Sequence, residues 1–434
     1  MRILLASDFY APLVGGVEQH VRMLGRELVA RGHRVAVATV RPAGDLPTEE
    51  DDGGVAVHRL RSTLARIPRA HVEGERPFAA PAPDPEVTFA LAALVRRFRP
   101  DVVHAHGWIG SSYLPIAMGT RAAFVVTAHE YGLVCARKDL LYLGTETCSG
   151  PGLAKCLRCA GDHYGPVRGT ALTLGTFASG AVERRLVDGL LAVSKAVVRG
   201  NGLDDARATV VPNFLPDEDP PETSAVGAFV RDLPSGRFIL FVGALGGHKG
   251  LPELFRAYEA LPDGRPPLVL IGHRWVDTPD RMPDGVVIFE DVPNDAVRAA
   301  WRRATIGVIP STWPEPFGIV ALEAMAAGVP VVASRTGGLA DIIGDNETGL
   351  LVEPRDECAL SAAVVRLLTD DPLRDRLGRA ARSAVEDYRA SAVIPRIESA
   401  YVAAIAARRR SSGFGEPRLS RSAAAGADVG EPEA

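Results

Sequence analysis

Short apolar runs recur along the chain: residues 3–5, 35–40, 101–105, 124–127 and 189–194, then 238–242, 268–272, 286–289, 306–310 and 329–333. Each is too short for a helix and apolar enough for a strand buried on both faces. Between them apolar residues return every three or four positions. Val17, Val21, Leu24 and Leu28 form one such face, closed by Gly32. The same spacing predicts helices over 87–98, 171–187, 297–303 and 357–377, a helix opening at Lys195 under a Ser194 cap, another from about Pro252, and a long final helix over 388–407. Strand–helix alternation of this kind predicts parallel sheets in α/β domains.

One stretch organises the rest. Residues 315–323 read EPFGIVALE, after a predicted strand and before AMAAGVPVVAS and Thr336-Gly337-Gly338. Pro314 and Pro316 exclude helix before Phe317, and Gly328 with Pro330 ends it. The backbone N–H groups of Phe317, Gly318, Ile319 and Val320 then stand at a helix start, where unpaired donors and the macrodipole favour an anion. Glu315 precedes that start and Glu323 lies about two turns in. Carboxylates beside an anion cradle suit a ligand that also carries hydroxyls, such as a sugar joined to a nucleotide through phosphates.

Two further glycine turns repeat this logic. Gly15-Gly16 opens the first helix, but its spacing is not that of a dinucleotide fingerprint. GALGGHKG at 243–250 follows a strand and carries Lys249, a cation for a diphosphate. His104, His106 and His129 lie near carboxyl ends of predicted strands, where open α/β sheets bind ligands.

The motif EPFGIVALEAMAAGVPVVASRTGG resembles the donor site of retaining glycosyltransferases of family four, which have the GT-B fold: two Rossmann-like domains facing across a cleft. The opening LLASDFYAPLVGGVEQHVRMLGRELVARGHRVAVAT, the segment VVTAHEYG and TVVPNF at 209–214 are similar to the same family. The resemblance implies an acceptor domain over 1–212, a nucleotide-sugar domain over 213–384 and a helix over 385–410 crossing back to the first domain; the Gly, Ser, Pro, Ala and charged composition of 411–434 predicts a disordered tail. It implies roles for His129 at the donor sugar, Lys249 at the diphosphate, Glu315 at sugar hydroxyls and Glu323 at the ribose, with His106 a weaker acceptor-side candidate. It implies no metal in the chemistry. One departure stands out. Where the family has an Arg after the first Gly of the second turn, this chain has Ala244; His248 or Arg335 would have to compensate. Ala244 is also the one support for an alternative, an inactive nucleotide-sugar-binding or scaffold protein of the same fold.

Composition narrows the picture little. The chain of 434 residues, 47% hydrophobic and 24% charged, is ordinary globular protein of two or three domains. A net charge of −4 makes no general case for nucleic acid or anionic membrane. No uninterrupted apolar run reaches about 18 residues, and the start reads as a strand, so a cytoplasmic protein is expected. The acceptor is not readable: a glycan, a lipid-linked sugar or a small molecule all fit, and a lipid-linked one would bring the first domain to a bilayer, for which no strongly basic amphipathic helix is evident. Residues 61–85 read as a long Pro- and Arg-rich loop, and 217–224 as an acidic linker. Cys135, Cys148, Cys156 and Cys159 cluster with one C-x-x-C spacing. A structural zinc site, four ordinary thiols or a redox pair all fit it.

Overall fold

The structure is a computed structural model. It describes all residues except 14, 43, 65–78, 205, 219–223 and 412–434. Most of the expected 61–85 loop, most of the expected linker and all but the first residue of the expected tail lie outside the described residues.

Two parallel-sheet α/β domains face each other. The first sheet runs, in spatial order, Ala208–Val210, Gly189–Ala192, Ala123–Ala128, Val102–His106, Arg2–Ser7, Arg34–Val40, Ala56–Leu60 and Glu49–Asp51. All its pairings are parallel except the last, where Glu49–Asp51 folds back on Ala56–Leu60. The second sheet runs Val286–Phe289, Leu268–Ile271, Ile239–Val242, Ile306–Ile309, Val331–Ser334 and Leu350–Val352, all parallel. Register matters for the site. Ser7, His106 and Thr127 are paired neighbours at the carboxyl edge of the first sheet, so His106 is delivered to the cleft by its strand.

Local chemistry explains several boundaries. Asp84 accepts from the Val87 N–H and starts the helix Pro85–Phe98, with proline in its first turn. Ser194 caps Lys195–Gly200 as expected, accepting from the Val197 N–H. The helix expected over 357–377 is two, Glu357–Thr369 and Asp371–Ala384. Asp370 accepts from the Leu373 N–H and Pro372 cannot continue a helix, so the chain restarts there. The final helix is Ala390–Ser411. Its Val393, Ile394, Ile397, Tyr401 and Ala404 pack with Ile3, Leu5, Val35 and Val125 of the first sheet. It is also the one described helix long and apolar enough to cross a bilayer by length and composition, with mean hydropathy 1.2. Its apolar face is occupied by the sheet.

Several elements were not legible beforehand, among them the strands Glu49–Asp51, Ala56–Leu60 and Ala208–Val210. Ile109–Ala117 is buried on nearly all sides, mixes Ser111 and Ser112 with its apolar residues and contains Pro115, so it lacks a period. Ser224–Asp232 follows the expected linker. Between Tyr131 and the helix Pro166–Leu186 the chain forms a small cap, with an antiparallel ribbon Leu141–Tyr142/Glu146–Thr147 and the helix Leu153–Tyr164.

Candidate active site

A cavity of 650 Å³ lies between the domains and is lined by both. Its second-domain wall is the stretch that organises the sequence. Gly318, at φ 95°, caps the helix Ile319–Ala327 in a left-handed conformation, and a Cβ there would sit 2.5 Å from Leu339. Gly337, at φ 53°, lets the following turn lie against the motif: a Cβ there would be 2.0 Å from the Glu315 carbonyl oxygen, while the Gly338 N–H donates to that oxygen at 2.6 Å. Gly337 is therefore required by close backbone approach at Glu315, and Gly318 by its left-handed backbone and the Leu339 side chain beside it.

Glu315 is buried. Its carboxylate accepts from Lys249 Nζ at 3.0 and 2.8 Å, from Ser311 Oγ at 3.0 Å and from Trp313 Nε1 at 2.9 Å. Burial alone would raise its pKa, but the Lys249 ammonium and these hydrogen bonds more than offset it and hold the carboxyl below its ordinary value. The Lys249 ammonium also lies 5.1 Å from the Trp313 ring centre. The glycine loop is tight: a Cβ on Gly250 would lie 1.9 Å from the Pro310 carbonyl oxygen. The Gly247 N–H in this loop is taken by Asp277 at 2.9 Å.

Neither proposed substitute for the cation missing at Ala244 behaves as one. Arg335 pairs with Asp345 and Glu353, at 2.6 and 3.3 Å, and is absent from the cavity lining. His248 does line the cavity, but burial and then the neighbouring Lys249 push its pKa down to about 4, so it is neutral at physiological pH.

The first-domain wall holds Gly15, Gly16, His106 and His129. A Cβ on Gly15 would overlap the Glu18 carboxylate, whereas Gly16 has open space above it. His106 Nδ1 and His129 Nε2 are 2.9 Å apart, and the ring of His20 stands edge-on to His129 at 4.9 Å. Burial holds all three imidazoles below their ordinary pKa, His20 at about 4, so they are neutral. Their nitrogens lie within 4.8 Å of one another, which is metal-like spacing. However, the direct His106–His129 hydrogen bond already uses one nitrogen of each, and we read the group as a hydrogen-bonded set. His104 is fully engaged by Thr127 and Tyr401 at 2.7 and 2.8 Å and is structural.

Several cavity residues had no sequence signal beyond position. Asp8, just past the first strand, accepts from the Trp108 and Ile109 N–H groups. Lys138 Nζ contacts Glu130 at 2.9 Å and Asp8 at 3.5 Å above the Trp108 ring. Glu183 is fully buried, which pushes its pKa up to about 8. The domains also touch directly: Tyr131 Oη donates to the Pro314 carbonyl at 2.9 Å, and Ser194 Oγ to the Pro316 carbonyl at 2.6 Å, on either side of Glu315.

Two expected donor residues stand apart. Val320 and Glu323 do not line the cavity; Glu323 lines a smaller depression with Arg298, Arg302 and Arg382. The cavity covers only the helix's first turn, and Glu323 lies about 6 Å farther along the axis than Ile319. The four cysteines are free thiols in and around the cap. Cys148 Sγ donates to the Gly150 carbonyl, Cys156 Sγ accepts from the Gly152 N–H and Cys159 Sγ from the Leu143 N–H. The group of possible metal ligands brought together among the described residues is His20, His106 and His129 rather than these thiols.

The sequence model described as "Glycosyl transferases group 1" matches residues 231–384, and that of a "Glycosyl transferase 4-like domain" matches 15–214. The chain is 29% identical to glycogen synthase of Mycobacterium tuberculosis, across 96% of this chain and 98% of that one. It is 30% identical to an uncharacterized glycosyltransferase of Methanocaldococcus jannaschii, across 89% and 94%. Among solved structures, sucrose-phosphate synthase from Thermosynechococcus elongatus superposes with TM-score 0.71 at 23% identity, across 94% and 99%. The Anabaena protein HepE in complex with UDP-glucose superposes with TM-score 0.64 at 16% identity, across 92% and 98%. At those identities the structures speak to the fold, which is GT-B.

Proposed function

The chain belongs to the group 1 glycosyl transferases, and from that premise we propose that it moves a sugar from a nucleoside diphosphate donor to a hydroxyl acceptor with retention of anomeric configuration. The observation that carries this reading is the Lys249–Glu315 pair beside a helix start in the interdomain cavity. When an acceptor oxygen bonds to the anomeric carbon and the bond to the diphosphate breaks, negative charge develops on the leaving phosphate. In this reading Lys249 and the N–H groups of Gly318 and Ile319 stabilise that charge, with Gly15 and Gly16 allowing approach from the other wall. Glu315 holds sugar hydroxyls and His129, a neutral imidazole, hydrogen-bonds the sugar. Glu323 takes the ribose if the nucleotide runs along the helix beyond its first turn. The chemistry needs no metal in this reading, and a cytoplasmic location belongs to the same proposal. Zinc at the cysteines is tested by the metal content of purified protein.

The acceptor is left open. Relatives are named glycogen synthase and D-inositol 3-phosphate glycosyltransferase, which pair one fold with different acceptors. The inactive reading is not favoured, because membership is in an enzyme family and its one support is Ala244. The test is release of nucleoside diphosphate from UDP-, GDP- and ADP-sugars, with oligosaccharide, polyol phosphate and lipid-linked acceptors. Release from one donor, abolished in Glu315→Ala, supports the proposal. No release from any donor, with folded protein and all three acceptor classes, contradicts it.

A further inference from the structure

The helix Pro166–Leu186 is inverted relative to a soluble surface helix. Its inward face carries Gly169, Thr173, Thr176, Ser179, Gly180 and Glu183, small or polar residues with Leu172 as the one large apolar member. Its outward face carries Val167, Ala171, Leu174, Ala178 and Val182, all exposed. Val167 is 85% exposed, Leu174 51% and Val182 42%. These positions form one stripe at helical spacing, roughly 22 Å long. Leu153, on the neighbouring cap helix, adds a further apolar side chain at 54% exposure. Of nine large apolar side chains exposed among the described residues, four fall in these two helices. A contiguous apolar surface of this kind marks a contact.

Charge indicates what covers it. Residues 153–186 carry Lys155, Arg158, Arg168, Arg184 and Arg185 against only Asp162 and Glu183, in a chain whose net charge is −4. Arg158 and Arg185 are exposed, and Glu183 is on the buried side. An apolar stripe bordered by cations is the pattern of a helix lying at a bilayer interface. The chain-wide net charge conceals it, and the sequence pattern misses it because the buried side of the helix is made of small and polar residues rather than an apolar stripe. The same two helices supply His163, Tyr164 and Glu183 to the cavity wall.

We propose that the outward face of Pro166–Leu186, with Leu153, docks on an anionic lipid surface. The docking stands apart from the donor reading and goes beyond it. Full-length protein is sedimented with vesicles of phosphatidylcholine alone and of equal parts phosphatidylcholine and phosphatidylglycerol. Binding to the anionic vesicles only, released by high salt, is expected. Val167→Gln/Leu174→Gln/Val182→Gln should abolish it, and Arg158→Glu/Arg185→Glu should weaken it about tenfold or more. Both variants change exposed positions, and circular dichroism checks their folding. Absence of vesicle binding by the wild type overturns the proposal. So does vesicle binding that survives in both folded variants, or light scattering showing a dimer that the triple variant dissolves, which would assign the face to a second copy.

Discussion

Lys249 Nζ donates to both carboxylate oxygens of Glu315, at 3.0 and 2.8 Å, although the two residues are 66 positions apart. One comes from a glycine turn after Ile239–Val242 and the other from the loop before Ile319–Ala327. Glu315 is buried and Lys249 partly so, and each charge answers the other. An incoming diphosphate must compete with Glu315 for the ammonium, and sugar hydroxyls can then satisfy the carboxylate.

This pairing predicts unequal single substitutions. Lys249→Met leaves a buried carboxylate without its counter-ion, still held by Ser311 and Trp313, and should cost about 1–3 kcal/mol. Glu315→Gln keeps the shape and leaves a partly exposed ammonium, and should cost less. The double variant should be more stable than Lys249→Met, because the orphaned charge is gone. Urea unfolding of the four proteins checks the order.

Acid should destabilise the protein from near neutrality. His20 and His104 are pushed down to about 4 and 3 by burial, and His106 and His129 are also held well below the ordinary value. Below about pH 6.5 the unfolded chain takes up protons at these positions that the folded chain refuses. The histidine contribution is therefore fully present above about 6.5 and falls as pH drops, by up to roughly 1.4 kcal/mol per pH unit per histidine; Glu183, raised to about 8, works in the opposite sense and offsets one proton of that loss. Glu315, lowered in the folded protein, adds a further loss below about pH 4.5. Thermal unfolding between pH 7 and 4 measures this. A midpoint unchanged down to pH 5 would show that the imidazoles are not neutral and buried.

Tyr131 couples the two walls. Its hydroxyl holds the Pro314 carbonyl and its ring is seated against Gly200, where a Cβ would come within 2.3 Å. It also follows His129 by two residues. Tyr131→Phe removes the cross-domain bond at a stability cost of about 1 kcal/mol. It should lower kcat several-fold with little change in donor KM, because the donor wall keeps its shape while the contact between the two walls is lost. A change confined to KM would place Tyr131 in donor binding instead.

Gly337→Ala should be among the most damaging single changes at the site. The residue is left-handed, and the new methyl would overlap three backbone atoms of Glu315. A loss of at least about 3 kcal/mol, with donor binding abolished in any folded fraction, is expected from calorimetry and titration. Normal stability would mean that the turn after Val331–Ser334 does not brace Glu315.

Much of this was legible because strand–helix alternation and glycine placement are local. The parallel sheets, the Ser194 cap and the glycine-flanked helix start at Phe317–Ile319 follow from spacing alone. What sequence could not supply was distance. The Lys249–Glu315 bond, the His106–His129 contact and the Tyr131–Pro314 bridge join residues on separate elements, and only packing brings them together. The position of Glu323 needed the depth of the cavity along a helix, which periodicity does not encode. The inverted face of Pro166–Leu186 was hidden for a related reason: a helix apolar outward and polar inward reads from sequence as a core helix of no special direction.

The most direct test of the central claim is binding of UDP-, GDP- and ADP-sugars, without added metal, to wild type and Lys249→Met, read as thermal shift. A donor at 100 times its Kd stabilises the folded state by about 2.7 kcal/mol. The account predicts one clear hit in the wild type, reduced at least tenfold in affinity in Lys249→Met. A flat panel in folded protein, or an equal shift in both proteins, would contradict it.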